Sequence, residues 1–320
     1  MKKIVKESPL VSLVLFSYNH ERYIKEAVDG ALSQTYSPLE IILSDDCSTD
    51  NTYNIIERIV ANYSGKHYIT INRNKKNLGL VSHLNKVFSM ASGQVIVLCA
   101  GDDVSLPNRV THTVVAFEKD TDLKYVDLEK VVIDENGYLI NNAHLCQSEG
   151  VLVSVNLKKY ISKDPDLRFN GAGRAIHRSV ITTFGPLMDN AQTEDTTYNL
   201  RCLMAGRGLF MGIPGILYRQ HPNSLSAQAS LHKMSVDGIS CQYKFDADLA
   251  LEKRLIEKKT YLDIISWINI SKAIRVVDRD VFFKKKITDI VVDLLKNKDL
   301  RGSQKIRIII RLLAVILRNG

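Results

Sequence analysis

Residues 39–50, Leu-Glu-Ile-Ile-Leu-Ser-Asp-Asp-Cys-Ser-Thr-Asp, give the clearest indication of the fold. The apolar run 39–44 predicts a short buried strand. Ser48 or Asp50 can then cap a helix that runs from residue 52 to about residue 63. A strand that ends in two aspartates and passes directly into a helix is typical of one repeating unit of an α/β sheet.

The same alternation extends in both directions from this stretch. Further strands are predicted at 10–16, 68–72 and 95–100, with helices at 20–33 and 80–91. Four strands joined by helical crossovers predict a parallel, doubly wound sheet, in which ligands bind beyond the carboxyl ends of the strands. Polar or acidic residues follow every one of these strands, at 17–20, 44–47, 72–77 and 101–103.

The second half of the chain has a different pattern. Residues 124–140 predict a hairpin with an Asn-Gly turn, 171–177 a strand, and 194–205 a helix that opens with acidic residues. From residue 231 onward the pattern is mostly helical. We therefore predict an α/β fold with a mostly parallel central sheet and a helical C-terminal extension.

Composition and charge exclude several classes of protein. The chain is 45% hydrophobic and 24% charged, as in ordinary globular proteins. Its net charge of +8 comes from the C-terminal region: residues from Leu251 onward contain 17 Lys and Arg against 8 Asp and Glu, whereas the first 250 residues are nearly neutral. This distribution argues against nucleic-acid binding. Five scattered cysteines, no secretory signal and no apolar run of about 18 residues predict a cytoplasmic protein not integral to a membrane.

An ordered series of motifs identifies a family resemblance. The series runs through Ser17-Tyr18-Asn19, 33–36 (Ser-Gln-Thr-Tyr), 40–50 with Asp45-Asp46, Asn77-Leu78-Gly79, Ala91-Ser92-Gly93 and Gly101-Asp102-Asp103. It resembles the GT-A-fold, inverting glycosyltransferases of family 2, densely over about 9–110 and more loosely over about 170–226. This resemblance implies a GT-A-type fold and transfer of a sugar from a nucleotide-diphosphate sugar.

The resemblance implies a donor site in the first half. Ser17, Tyr18 and Asn19 would line the nucleotide, with Tyr18 against the base, and Asp46 would accept a hydrogen bond from the base. Asn77 would lie near the base or diphosphate. Asp102 would hold the ribose, and Asp103 would hold Mn²⁺ or Mg²⁺. Ala100 stands where many relatives carry another aspartate, which leaves the metal fewer protein ligands.

Later motifs imply the remaining roles. In Thr193-Glu194-Asp195, Asp195 would be the base that removes the acceptor proton, and Glu194 would contact acceptor or sugar; by themselves both residues also suit the start of a helix. Arg219 would pair with the diphosphate, and His221 would ligate the metal or touch the phosphate. Gly171 would allow acceptor or sugar to approach the backbone, although an ordinary turn fits equally well.

The C-terminal helix presents two alternatives. Over 306–318, Arg307, Arg311 and Arg318 fall within about 40° of one another on a helical wheel, and apolar residues fill the remaining arc. Such a helix can lie on an anionic membrane surface through 301–320, or pack on the protein or on a second subunit in a homodimer. The pattern favours neither.

These observations predict an inverting, metal-dependent hexosyltransferase that uses a UDP- or dTDP-sugar and a saccharide or lipid-linked acceptor in surface polysaccharide, O-antigen or capsule synthesis. The alternative is a non-catalytic sugar-binding or scaffold protein of the same fold. The absence of a Gly-rich loop after the first strand argues against a nucleotidyltransferase or dinucleotide oxidoreductase. The predicted domains are 1–228, with a nucleotide half (1–118) and an acceptor half (119–228), and a helical region, 229–320.

Overall fold

Strand β1 (Val11–Ser17) lies in the middle of a sheet because its sequence, Val-Ser-Leu-Val-Leu-Phe-Ser, is buried on both faces. It pairs in parallel with β2 (Leu39–Asp45) on one side and with β4 (Val95–Ala100) on the other. Strand β3 (Tyr68–Arg73) pairs in parallel with β2. Parallel neighbours place the carboxyl ends of all four strands at one edge of the sheet.

The computed structural model describes residues 7–140, 150–191, 193–222 and 234–319, with side chains up to residue 313. The chain forms two compact units, one of Met1–Met188 and Tyr198–His221, the other of Asp189–Thr197 and Pro222–Gly320. Among the described residues up to 205, the helices are α1 (Ile24–Leu32), α2 (Thr52–Ala61), α3 (Leu80–Met90), α4 (Arg109–Lys119), α5 (Leu157–Ser162), α6 (Arg178–Phe184) and α7 (Asp195–Ala205).

The sheet of the first unit continues beyond β4 with mixed pairing. The remaining described strands are β5 (Val104–Ser105), β6 (Leu123–Ile133), β7 (Leu152–Val155), β8 (Arg174–His177) and β9 (Arg207–Arg219). The spatial order is β3-β2-β1-β4-β8-β6-β9-β5, with β7 also paired to β9. β8 is antiparallel to both neighbours, whereas the long pair β6 and β9 is parallel. The result is the mixed α/β fold with a mostly parallel central sheet that the sequence predicts.

The predicted elements of residues 10–100 are all present, with ends shifted by a few residues. The predicted hairpin is reduced to one antiparallel bridge between Ile133 and Leu139, with Gly137 in the turn at φ +89°. Strand β9 is the largest element missing from the prediction. Its sequence contains Gly208, Gly212, Pro214 and Gly215, which obscure a strand pattern. Gly215 has a packing reason, since a Cβ at this position would lie 2.6 Å from the side chain of Leu128 in β6.

Two of the quoted motifs serve the fold. Gln34 is buried: its amide donates to the carbonyls of Gly30 and Leu106, and its oxygen accepts the N–H of Val110. The side chain therefore ties α1 to α4. The second motif residue is Glu40, near the start of β2. Its carboxylate accepts hydrogen bonds from the N–H groups of Ser92 (2.6 Å) and Gly93 (3.0 Å).

The second unit contains four helices among its described residues after 222: α8 (Val236–Glu252), α9 (Lys258–Phe282), α10 (Ile287–Lys296) and α11 (Gly302–Asn319). Salt bridge Lys272–Asp237 (2.7 Å) and the ring contact of Tyr243 with Trp267 (5.4 Å) show that α8 and α9 are antiparallel. Within the described ranges, every helix is too short or too polar to cross a membrane.

The boundaries of the two units differ in detail from the predicted domains. The predicted boundary at 228 falls among residues 223–233, outside the described ones. Residues 189–197 group with the C-terminal helices, which the sequence pattern did not indicate. The division into nucleotide and acceptor halves at 118 stays a prediction.

Candidate active site

The carboxyl ends of β1, β2 and β4 bring the first predicted site residues to one edge of the sheet. Ser17 is buried, and its hydroxyl donates to the carbonyl of Ser44 at 3.2 Å. The next side chain, Tyr18, is 42% exposed although it is a large aromatic. An exposed aromatic ring at this edge is available to stack against a planar ligand.

Asn19 holds two loops together. Its backbone lies in the left-handed region at φ +54°, and its N–H donates to Ser48 Oγ at 2.8 Å. Its side-chain oxygen accepts the N–H of Thr49 at 2.9 Å. The N–H of the next residue, His20, donates to the hydroxyl of Thr52 at 2.8 Å. These contacts fix the loop after β1 against the loop after β2; the predicted contact of Asn19 with nucleotide stays a prediction.

Asp46 organises the loop before α3. Its Oδ1 accepts from Asn74 Nδ2 (2.7 Å) and from the N–H of Leu78 (2.9 Å), and its Oδ2 accepts from the N–H of Gly79 (2.9 Å). A carboxylate has about four acceptor positions, so three of them are filled. The side chain is buried, and one acceptor position on Oδ2 is left for a further donor.

Asn77 belongs to the loop that Asp46 holds. Its side-chain oxygen accepts the N–H of Gly79 at 2.9 Å, and Gly79 has φ +75° directly before α3. Asn77 is exposed, as are Lys75 and Lys76. The loop therefore presents an amide and two cations to solvent beside the end of β2.

Asp102 and His221 form a close pair although they are 119 residues apart. His221 Nε2 lies 3.0 Å from Asp102 Oδ2, and the two side chains are 5% and 16% exposed. Because an ionised carboxylate only accepts, the imidazole Nε2–H is the donor in this arrangement. The ring of Tyr23 lies 4.9 Å from that of His221. Burial opposes ionisation of Asp102, but the bond from His221 and the nearby His20 hold its pKa below the usual value.

His20 also lies at this site, although the sequence pattern assigned it no role of its own. Burial lowers the pKa of His20 despite the attraction of Asp102. Its Nδ1 is buried without a hydrogen-bond partner in the part of the chain that the structure describes. A Cβ at Gly101 would lie 2.7 Å from this nitrogen, so glycine is required there. The position of His20 directly after Ser-Tyr-Asn was the available sequence signal.

Asp103 has a different partner from Asp102. It is 3% exposed, and its Oδ1 accepts the backbone N–H of Arg219 at 2.9 Å. Burial, followed by the adjacent carboxylate of Asp102, raises the pKa of Asp103 to about 8. One oxygen of this buried carboxyl is therefore occupied by the end of β9, and its predicted role as metal ligand stays a prediction.

Arg219 is committed to partners within the first unit. The side chain is 1% exposed; Nε donates to the carbonyl of Asp102 at 3.0 Å and Nη2 pairs with Glu26 at 2.7 Å. Nη1 donates to the carbonyls of Asp134 (3.3 Å) and Glu135 (3.4 Å). The guanidinium also lies 4.9 Å from the ring centre of Tyr23. Every nitrogen of the group predicted to bind diphosphate therefore already has a protein acceptor.

The side chains at this site can be compared with the ligands that the implied Mn²⁺ or Mg²⁺ ion needs. Among residues 7–140, 150–191, 193–222 and 234–319, no group of three or more His, Cys, Asp or Glu side chains is arranged to hold a metal ion. Asp102 and His221 bring one carboxylate and one imidazole together, and a Mn²⁺ or Mg²⁺ ion held by them would replace the proton between Nε2 and Oδ2 and take its other ligands from diphosphate and water. The predicted contact of Asp103 with the metal stays a prediction.

Gly171 begins a single 3₁₀ turn, Gly171–Gly173, directly before β8. The turn packs tightly on β6, because a Cβ on Gly173 would lie 2.2 Å from the carbonyl oxygen of Leu128. Next to it, Arg174 and Asp127 form a fully buried bidentate pair at 2.7 and 2.8 Å. The turn is therefore rigidly held, and its predicted contact with acceptor or sugar stays a prediction.

Asp195 is the first residue of α7, and it belongs to the second unit. Its side chain is exposed, and that of Glu194 is partly exposed. The turn is fixed by Thr197, whose hydroxyl donates to the carbonyl of Thr193 at 2.8 Å, and by Thr196, which accepts from Tyr243 at 2.6 Å. The predicted base thus occupies an ordered helix start.

Known proteins resemble this chain in sequence and in fold. Bacillus subtilis EpsE, named as a glycosyltransferase, is 38% identical over 133 residues, which are 42% of this chain and 47% of EpsE. Escherichia coli chondroitin synthase is 34% identical over 140 residues, which are 44% of this chain and 20% of the synthase. The chain thus spans about half or less of these relatives.

Solved structures share the fold. Staphylococcus aureus TarS 1–349 in complex with UDP-GlcNAc has a TM-score of 0.62 at 15% identity, over 89% of this chain and 79% of that one. The mannosyltransferase PcManGT from Pyrobaculum calidifontis, in complex with GDP-Man and Mn²⁺, has a TM-score of 0.55 at 14% identity, over 98% and 88%. Residues 12–181, more than half of the 320, match the family model described as Glycosyl transferase family 2. The chain belongs to glycosyl transferase family 2.

Proposed function

We propose that this chain transfers a sugar from a nucleotide-diphosphate sugar, a UDP- or dTDP-sugar, to an acceptor hydroxyl with inversion at the anomeric carbon. The observation that carries the proposal is that Asp46, the exposed Tyr18 and the Asp102–His221 pair all lie at the carboxyl ends of β1, β2 and β4. Family membership and the nucleotide sugars named with TarS and PcManGT support it.

The donor nucleotide is proposed to bind at this edge of the sheet. Tyr18 stacks on the base, and the free acceptor position of Asp46 Oδ2 takes an N–H from it. Asp46 has a second effect, because it also fixes the Asn77-Leu78-Gly79 loop whose exposed amide and neighbouring lysines face the nucleotide. Loss of this carboxylate therefore disturbs both a contact and the shape of the site.

We propose that Asp102 and His221 hold the metal, Mn²⁺ or Mg²⁺, and that Asp103 positions them. A bound divalent cation stabilises the negative charge that develops on the leaving diphosphate. Asp103 accepts the N–H of Arg219, and Arg219 donates to the carbonyl of Asp102, so both residues fix the turn and the strand end that carry the pair. In this proposal Arg219 is a positioning residue and does not contact the diphosphate.

Proton removal from the acceptor is assigned to Asp195. Inverting transfer needs a carboxylate within about 2.6–3.2 Å of the attacking hydroxyl, and Asp195 is exposed at the ordered start of α7. Glu194 and the Gly171 turn are proposed to contact acceptor or sugar. We propose that the acceptor is a growing surface polysaccharide, free or lipid-linked, and that the reaction takes place in the cytoplasm; relatives such as chondroitin synthase support the first point.

A panel of UDP-, dTDP-, GDP- and CMP-sugars tests the proposal by thermal stabilisation, with Mn²⁺ or Mg²⁺ and with chelator. A ligand that binds only the native state raises stability by RT ln(1 + [L]/Kd), about 2.7 kcal/mol at a hundredfold excess over Kd. We expect a metal-dependent rise in Tm with one nucleotide, followed by slow release of the sugar to water. Stabilisation without release would favour the non-catalytic sugar-binding alternative. No stabilisation by any member would contradict the proposed site.

A further inference from the structure

Helix α11 (Gly302–Asn319) carries two apolar stripes on different sides. Ile308 and Leu312 are 3% and 1% exposed and pack with α9 and α10. Three further apolar side chains lie at i, i+4 and i+7 and are exposed: Ile306 (59%), Ile310 (61%) and Leu313 (49%). At 100° per residue, the two stripes are centred about 150° apart. We call Ile306, Ile310 and Leu313 the outer stripe.

The surroundings of the outer stripe are apolar and basic. Gln304 bonds to Ser266 (2.9 Å) and Arg311 pairs with Asp278 (2.9 Å), so α11 runs in the same direction as α9. The end of α9 carries the exposed pair Phe282 and Phe283, followed by three exposed lysines, 284–286. Beside the start of α11, Lys305 Nζ donates to the carbonyl of Leu295, whose side chain is 54% exposed.

Either a second copy of the chain or a membrane surface would bury the outer stripe, and the charge of the surrounding residues favours one of them. Residues 284–320 contain ten lysines and arginines against three aspartates. A second copy of the chain on the same stripe would bring two such segments together, and like charges would repel. An anionic lipid surface complements the charge, while the exposed isoleucines and phenylalanines enter the boundary between headgroups and acyl chains.

The length of α11 agrees with a position in the plane of the membrane surface. Its 18 residues extend about 27 Å. Lys305, Arg307 and Arg311 interrupt the apolar sequence, and no described helix is long and apolar enough to cross a membrane. A helix that packs Ile308 and Leu312 on its own protein and places the outer stripe in the membrane–water interface buries both apolar stripes.

We propose that the second unit docks on anionic membrane surfaces through the outer stripe and the basic residues of 284–311. This goes beyond the proposed transfer reaction. It would bring the chain to the surface where an acceptor carried on a lipid is anchored.

Flotation with lipid vesicles tests the proposal on the full chain. The vesicles are phosphatidylcholine alone, or equal parts of phosphatidylcholine and phosphatidylglycerol. We expect binding to the anionic vesicles and weak binding to the neutral ones, with a loss of binding as salt is raised. The stripe variant Ile306→Gln/Ile310→Gln/Leu313→Gln is expected to lose binding with an unchanged Tm, because its side chains are exposed.

A charge variant separates the electrostatic contribution. Each basic residue near an anionic surface contributes about fivefold to binding, so Lys296→Gln/Lys298→Gln/Arg307→Gln should weaken binding by about a hundredfold.

Leu262→Gln is the control for the stripe variant, since Leu262 is also an exposed apolar residue (56%) on a helix of the same unit. This control should bind as the wild type does.

Three results would overturn the proposal. The first is failure of the wild type to float with anionic vesicles. The second is a stripe variant that binds as well as the Leu262 control. The third is a wild-type dimer, detected by light scattering, that the stripe variant converts to a monomer in the absence of any vesicle binding; the stripe would then be a subunit interface.

Discussion

Substitution of Asp103 and Asp102 tests the two different roles proposed for the adjacent carboxylates after β4. Asp103→Asn keeps an oxygen that can accept the N–H of Arg219, so we expect a change in unfolding free energy within about 1 kcal/mol. Asp103→Ala leaves that buried N–H without an acceptor and creates a small cavity. The N–H costs about 1–3 kcal/mol and the cavity adds to it, which gives a total of about 3 kcal/mol.

The expected signals are large enough to measure by thermal unfolding. For a unit of this size about 3 kcal/mol lowers Tm by about 6–12 °C. Asp103→Asn should keep the metal-dependent stabilisation by donor nucleotide. Asp102→Asn should fold normally but lose at least about tenfold in metal-dependent donor affinity, or about 1.4 kcal/mol. Asp122→Asn, at an exposed aspartate of the same unit, controls for the loss of one negative charge.

One pattern of results would refute this reasoning. If Asp103→Asn abolishes the metal-dependent stabilisation while Asp102→Asn retains it, Asp103 is the metal ligand and the bond to Arg219 is incidental. Donor affinity is best measured by titration calorimetry, with Mn²⁺ and again with chelator. The comparison of Asn variants avoids the destabilisation that Asp103→Ala introduces.

Three further changes test other parts of the structure. Arg219→Met removes the donor to three carbonyls, so unfolding free energy should fall by about 2–5 kcal/mol, measured by denaturant titration; unchanged stability with weaker donor binding would instead indicate a direct diphosphate contact. Asp195→Asn should retain donor affinity while transfer falls by about 10²–10⁴-fold in a radiolabelled-sugar assay, and equal loss of both would contradict its role as base. Gly173→Ala should lower stability by at least about 1–3 kcal/mol because of the carbonyl 2.2 Å away, whereas Gly302→Ala, with open space around it, should not.

The parallel half of the fold could be predicted because its determinants are local. Each strand is a short apolar run, and each following turn contains the residues that end it, as in Leu39–Asp45 followed by Asp46. Strand β9 could not be predicted in the same way. Gly208 and Gly215 pack closely on β6, the pairing shifts register around Glu129, and a partner about 80 residues away leaves no local pattern.

The candidate site shows the same limit at the level of single side chains. The motifs single out both Asp102 and Asp103, but they do not predict that the first pairs with His221 and the second with the N–H of Arg219. This difference depends on Arg219, whose N–H binds Asp103 across 116 residues of chain and whose side chain binds the carbonyl of Asp102. Because His221 follows two residues after β9, the end of this strand supplies a partner to both aspartates, the N–H of Arg219 to Asp103 and the imidazole of His221 to Asp102. The contacts of the Gly101-Asp102-Asp103 motif therefore depend on a strand that the sequence pattern does not reveal.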